Sequence, residues 1–190
     1  MAINNIVDES FIINQKKLKQ FGDRCSNVKI GIMGGTFDPI HYAHLATAEF
    51  IRDNYKLDKI LFIPSGNPPH KKGNITDKYD RYNMVLLSTV NNDDFIVSDI
   101  ETWKDVEGNF KLANFIAATR PGISLLRANE KIKELKDKYN ANIESVYVPS
   151  LDISSTYIRE QLNKHKTIRY LVPELVQEYI YNKKLYSSGE

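Results

Sequence analysis

Val28-Lys29-Ile30-Gly31-Ile32-Met33 is a β-branched run of strand length that leads straight into Gly34-Gly35-Thr36-Phe37-Asp38-Pro39-Ile40-His41-Tyr42-Ala43-His44-Leu45. Beyond Leu45 apolar residues recur at helical spacing, so the stretch reads as a strand, a glycine loop and a helix start. Two adjacent glycines remove the Cβ atoms that would hold a ligand's phosphates away from the backbone amides. The helix start adds unpaired N–H groups and partial positive charge. Such a loop suits a nucleotide triphosphate. It is not a Walker A loop, which ends Gly-Lys-Ser/Thr, nor the GxGxxG dinucleotide fingerprint. His41 and His44 are three apart, so both imidazoles lie on one helix face and can donate to phosphate oxygens where charge develops. A zinc reading fits less well, because HExxH helices space their histidines four apart with a Glu between. No metal ligands are assigned.

Outward from this loop the chain alternates. Strand-length apolar runs stand at 28–33, 59–63, 95–100, 114–119 and 143–148, and helical patterns at 43–54, 78–90, 123–139, 155–163 and 173–182. Strands separated by helices predict an α/β fold with a doubly wound, mostly parallel, Rossmann-like sheet, whose ligands bind beyond the C-terminal strand ends. One interval is too short. Between the runs ending at Ile100 and starting at Asn114 lie barely the dozen residues that a parallel crossover needs. Residues 1–27 carry an apolar patch, Ser10-Phe11-Ile12-Ile13, and the basic stretch Lys16-Lys17-Leu18-Lys19, and read as an N-terminal extension, an arm or short helix before a domain spanning 28–190.

Composition narrows the class further. The 190 residues are 42% hydrophobic and 26% charged, values of an ordinary globular chain, which argues against disorder and low-complexity scaffolds. A net charge of +2 is too small for general attraction to nucleic acid or membrane, so any anion handling is local. One cysteine, Cys25, excludes an intramolecular disulfide and fits a reducing compartment. No apolar run reaches the length of a membrane span and no signal-peptide order opens the chain, so the expected location is cytoplasmic.

Two later segments add chemistry. Ser154, Ser155 and Thr156 stand at a helix start, where hydroxyls cap amides or bind an anion, and Arg159 follows one turn on. They read either as an ordinary N-cap with a solvent-facing Arg or as a second phosphate clamp. Pro68-Pro69-His70-Lys71 forms a stiff loop whose Lys71 meets an acidic substrate or simply solvent.

Gly34 to His44 resembles the GGTFDPxHxGH signature of the HxGH nucleotidyltransferases, and specifically of bacterial nicotinate-nucleotide adenylyltransferases. The match resumes at Ile63-Pro64-Ser65-Gly66-Asn67-Pro68-Pro69-His70-Lys71, at Arg120-Pro121-Gly122, at Ile153-Ser154-Ser155-Thr156-Tyr157-Ile158-Arg159 and at Tyr170-Leu171-Val172-Pro173, ending with Lys184-Leu185-Tyr186. The resemblance implies adenylyl transfer from ATP, accompanied by Mg²⁺, to nicotinate mononucleotide, giving deamido-NAD and pyrophosphate. It implies that His41, His44 and Arg159 are catalytic and that Gly34, Gly35, Thr36, Phe37, Ser154, Ser155 and Thr156 bind ATP. It assigns Lys71, Arg81 and Trp103 to the acceptor nucleotide. A homo-oligomer is compatible with it. The loop alone also suits the sister pantetheine-phosphate adenylyltransferases.

Two departures from the pattern stand out. Ala43 replaces the signature's last glycine. Between Glu101 and Thr102 the family's Ser-Tyr-Thr element, a helix and a central strand ending Gly-x-Asp are missing, at the junction that spacing alone finds too short. The expectations are a gap or repaired pairing beside the first strand and an incomplete acceptor site, which keeps open a nucleotide-binding protein with impaired turnover.

Overall fold

The computed structural model describes residues 3–22, 28–66, 75–98, 113–119, 125–149 and 151–187. Helix α1 (Ile3–Gly22) precedes strand β1 (Ile30–Gly35), α2 (Tyr42–Asn54), β2 (Lys59–Pro64), α3 (Lys78–Thr89) and β3 (Phe95–Val97). Strand β4 (Phe115–Thr119), α4 (Leu125–Tyr139), β5 (Ile143–Tyr147), α5 (Ser155–Asn163) and α6 (Glu174–Asn182) complete the order. The chain divides into two compact units, residues 1–102 with 152–190, and residues 103–151. No described helix is long and apolar enough to cross a membrane.

The first unit holds a parallel sheet in the order β1-β2-β3, with Ile30 opposite Lys59 and Ile60 opposite Phe95. The second holds the parallel pair β4-β5, with Phe115 opposite Ile143. All the described ladders are parallel, as strand–helix alternation predicts. In place of one continuous sheet, however, there are two, and among the described residues β1 has ladder partners along one edge only.

Sequence explains the local elements. Asp77 opens α3 by accepting the Tyr79 N–H at 2.8 Å, and Ser154 opens α5 by accepting the Tyr157 N–H at 3.1 Å. The β2 and β3 residues are apolar because helices cover them. Phe62, Ile96 and Val97 are fully buried, and the Phe62 and Phe95 rings meet edge to face at 5.1 Å. Met84, Val85, Leu86 and Leu87 of α3 join them with Ile158 of α5 and Val176, Tyr179 and Ile180 of α6. Phe37 and Ile40 of the glycine loop belong to the same cluster, so the loop is fixed from beneath by the core.

Helix α1 lies in the first unit with the sheet rather than apart from it, and packs against α3, β3 and α6. Its Asn14 is buried, donating from Nδ2 to the Val97 carbonyl at 2.8 Å and accepting the Val97 N–H on Oδ1 at 2.8 Å. A side-chain amide thus completes β3 as a neighbouring strand would, satisfying two main-chain groups that would otherwise be stranded away from water. Lys17 donates to the carbonyls of Thr89, Val90 and Asn92 at 3.1, 3.2 and 2.8 Å, capping the C-terminus of α3 with positive charge. Burial lowers the Lys17 pKa, opposed by Asp93 and Asp94.

Candidate active site

The site is built at the C-terminal end of β1, where Gly34 and Gly35 release the chain into the loop before α2. A Cβ added at Gly35 would come within 2.9 Å of the Phe37 ring. The glycine therefore makes room for a ring as well as for a ligand. Phe37 itself, at φ 50°, is buried with its ring edge-on to His44 at 5.2 Å.

His41 adopts extended φ and ψ as the N-cap of α2 and is buried, while its ring stacks on that of His44 at 3.8 Å with an interplanar angle of 25°. The two imidazoles thus share one helix face, as three-residue spacing requires. The His41 main-chain N–H donates to Nδ1 of half-buried His44 at 3.3 Å. With Nδ1 accepting, a neutral imidazole carries its proton on Nε2.

Helix α5 is tied directly to this loop. Ser155 Oγ donates to the Pro39 carbonyl at 2.9 Å, and Arg159 Nη1 donates to the Asp38 carbonyl at 2.5 Å. Arg159 Nη2 also reaches Thr156 Oγ1 at 3.4 Å. Ser154 caps the helix, so of the three hydroxyls it and Ser155 serve the fold, and Thr156 stands beside the guanidinium. The segments read separately from sequence as a phosphate loop and a second clamp meet here, 116 and 121 residues apart along the chain.

Arg81 is placed differently from an exposed helical arginine. It is 1% exposed, and its guanidinium donates to three carbonyls: Thr36 at 2.7 Å, Gly66 at 3.2 Å and Thr76 at 2.9 Å. Burial lowers its pKa, with the Asp38 charge opposing. One buried cation thereby fastens the glycine loop to both ends of the segment that follows β2. Lys71 and Trp103 lie outside the described residues. Sequence reasoning passed over two further residues, Asp38, buried at 3% exposure, and Tyr186, whose hydroxyl donates to Asp38 Oδ1 at 2.7 Å. The only signal for either was membership of a matched segment.

A parallel strand delivering a Gly-Gly loop and two stacked imidazoles onto a serine-capped helix defines a nucleotidyltransferase, and the cytidylyltransferase-like family model matches residues 32–161. Three relatives carry the name "Probable nicotinate-nucleotide adenylyltransferase". The protein of Thermoanaerobacter sp. (strain X514) is 41% identical over 203 residues, covering 86% of this chain and 96% of its own length. That of Moorella thermoacetica is 41% identical over 198 residues, with 83% and 91% covered. That of Desulfitobacterium hafniense (strain Y51) is 39% identical over 197, with 83% and 95% covered. The chain belongs to this family, the nicotinate-nucleotide adenylyltransferases. The alignment lengths carry a second message. The first spans 203 positions with 86% of 190 residues, about 163, so about 40 positions of the relative face no residue here. That is the size of a helix and a strand with their turns.

Proposed function

We propose that this site transfers the adenylyl group of ATP to nicotinate mononucleotide, forming deamido-NAD and pyrophosphate. A phosphate oxygen of the mononucleotide attacks the α-phosphorus of ATP, the bond to the bridging α–β oxygen breaks, and pyrophosphate leaves with that electron pair. Bound with ATP, Mg²⁺ would supply charge screening of the departing phosphates. His41 and His44 act at the triphosphate, His44 through its Nε2 proton, while Gly34, Gly35, Thr36 and Phe37 shape the cradle. Arg159 and Thr156 face the outer phosphates, with Ser154 and Ser155 holding their helix in place. Lys71 and Trp103 serve the acceptor, and Arg81 orders the loops on which acceptor and donor meet. The protein's contribution is positioning and charge stabilisation, with no covalent enzyme intermediate. With its one cysteine, Cys25, the chain is assigned to the cytoplasm.

The observation that carries this reading is the direct tie of α5 to the histidine loop through Ser155 and Arg159. Its test is pyrophosphate release from Mg²⁺-ATP with nicotinate mononucleotide, nicotinamide mononucleotide or phosphopantetheine as acceptor. Turnover with the first and a loss of about 10²–10³-fold in kcat for His44→Ala are expected. Preference for phosphopantetheine would overturn the acceptor assignment.

A second reading rests on the one-edged β1 and the 40-position difference from the relatives. The unit missing from this chain would stand beside β1 and contribute to the acceptor pocket, so ATP binds normally and the mononucleotide weakly. Calorimetry with each ligand separates the two: tight mononucleotide binding would refute an incomplete pocket.

A further inference from the structure

Resting on the proposed reaction, we propose that Tyr186 is a positioning residue for the triphosphate, acting through Asp38 on the loop that carries the two histidines. Its hydroxyl donates to Asp38 Oδ1 at 2.7 Å across 148 residues of sequence, bringing the end of the described chain onto the centre of the loop. Asp38 is held at two points by two different elements, its carboxylate by Tyr186 and its carbonyl by Arg159. It directly follows Phe37, whose ring abuts His44, and precedes Pro39, whose carbonyl takes Ser155. A shift of Asp38 therefore moves the His44 support and the α5 clamp together.

Tyr186 also lies beside Thr76, the residue whose carbonyl is held by Arg81. Burial, and then the Asp38 charge, push ionisation of Tyr186 well above the usual tyrosine range, so it remains a donor throughout the neutral range. At φ 63° the residue holds a left-handed backbone conformation.

Tyr179 supplies the internal control. It too is a tyrosine donating to an aspartate, here Asp80 Oδ1 at 2.7 Å, and it accepts from Asn83, but these contacts link α6 to α3 rather than to the glycine loop. Tyr186→Phe keeps the ring and removes one hydroxyl. Titration by calorimetry should show Mg²⁺-ATP binding weakened roughly ten-fold in Tyr186→Phe, the worth of one hydrogen bond to a charged group, while adenosine binding is unchanged. Tyr179→Phe should lower the thermal midpoint and leave both affinities alone. In an Asp38→Asn background, adding Tyr186→Phe should cost less than two-fold more, because the two residues act as a unit. Equal loss of ATP and adenosine, no loss of either, or full additivity with Asp38→Asn would each overturn the positioning role. Because the readout is binding, absence of turnover in the unaltered chain would sink the proposed reaction while leaving this inference testable.

Discussion

The two outer strands of the first sheet are finished in different ways. β3 is buried at all three residues, and the N–H and C=O of its Val97 are matched by the Asn14 amide of α1. β1 is apolar along nearly its whole length, Ile30-Gly31-Ile32-Met33, the composition of a strand meant for a sheet interior. Yet Ile30 and Ile32 are 39% and 58% exposed, and among the described residues its ladder runs to β2 alone. β3 is an edge with its cover built in. β1 has the composition of an interior strand and one ladder partner among the described residues. The contrast bears on the proposal that a unit absent from this chain would stand beside the strand that carries the histidine loop.

Supplying the proposed neighbour is the strongest way to break that contrast. Inserting the corresponding segment of the Thermoanaerobacter relative between Glu101 and Thr102 should tighten mononucleotide binding by about ten-fold or more, with ATP affinity unchanged. It should also slow amide exchange along β1. Unchanged acceptor affinity and exchange would mean that β1 was not waiting for a strand.

At the other edge, Asn14→Leu removes both partners of Val97 without shrinking the side chain. Burying an N–H and a C=O unsatisfied should cost about 2–4 kcal/mol, read from urea denaturation. Lys17→Met is the milder test, losing three hydrogen bonds from one ammonium at the end of α3, and should cost about 1–2 kcal/mol at pH 7. Its pH dependence has a definite sign. The folded chain holds the Lys17 proton less tightly than the unfolded chain, so stability rises with pH as 10.5 is approached from below. Lys17→Met lacks that rise, and unfolding midpoints at pH 7.5 and 10 should show the wild-type protein gaining on the variant.

Much of the fold was legible because periodicity is local. Strand β2, begun at Lys59, and helix α3, begun at Lys78, needed only apolar spacing to be found. The histidine loop was legible for the same reason, since three-residue spacing at a helix start forces two rings onto one face. Arg81 was not, because nothing in its neighbourhood says that carbonyls at positions 36, 66 and 76 will surround it. Nor was the role of α1, whose Asn14 finds its partner 83 residues away.

What the amino-acid order settled by itself was the alternation of strands and helices and the placing of two glycines and two histidines at the end of β1; the shortage of chain near Glu101 was its expectation. These depend on near neighbours and on simple lengths. The folded arrangement alone decided that an arginine would serve as a clamp, that a terminal tyrosine would reach Asp38, and that an asparagine would finish β3. Apart from the Arg81 bond to Thr76, each of those hydrogen bonds joins residues distant in sequence, and it is worth making only where burial has already removed the competing water.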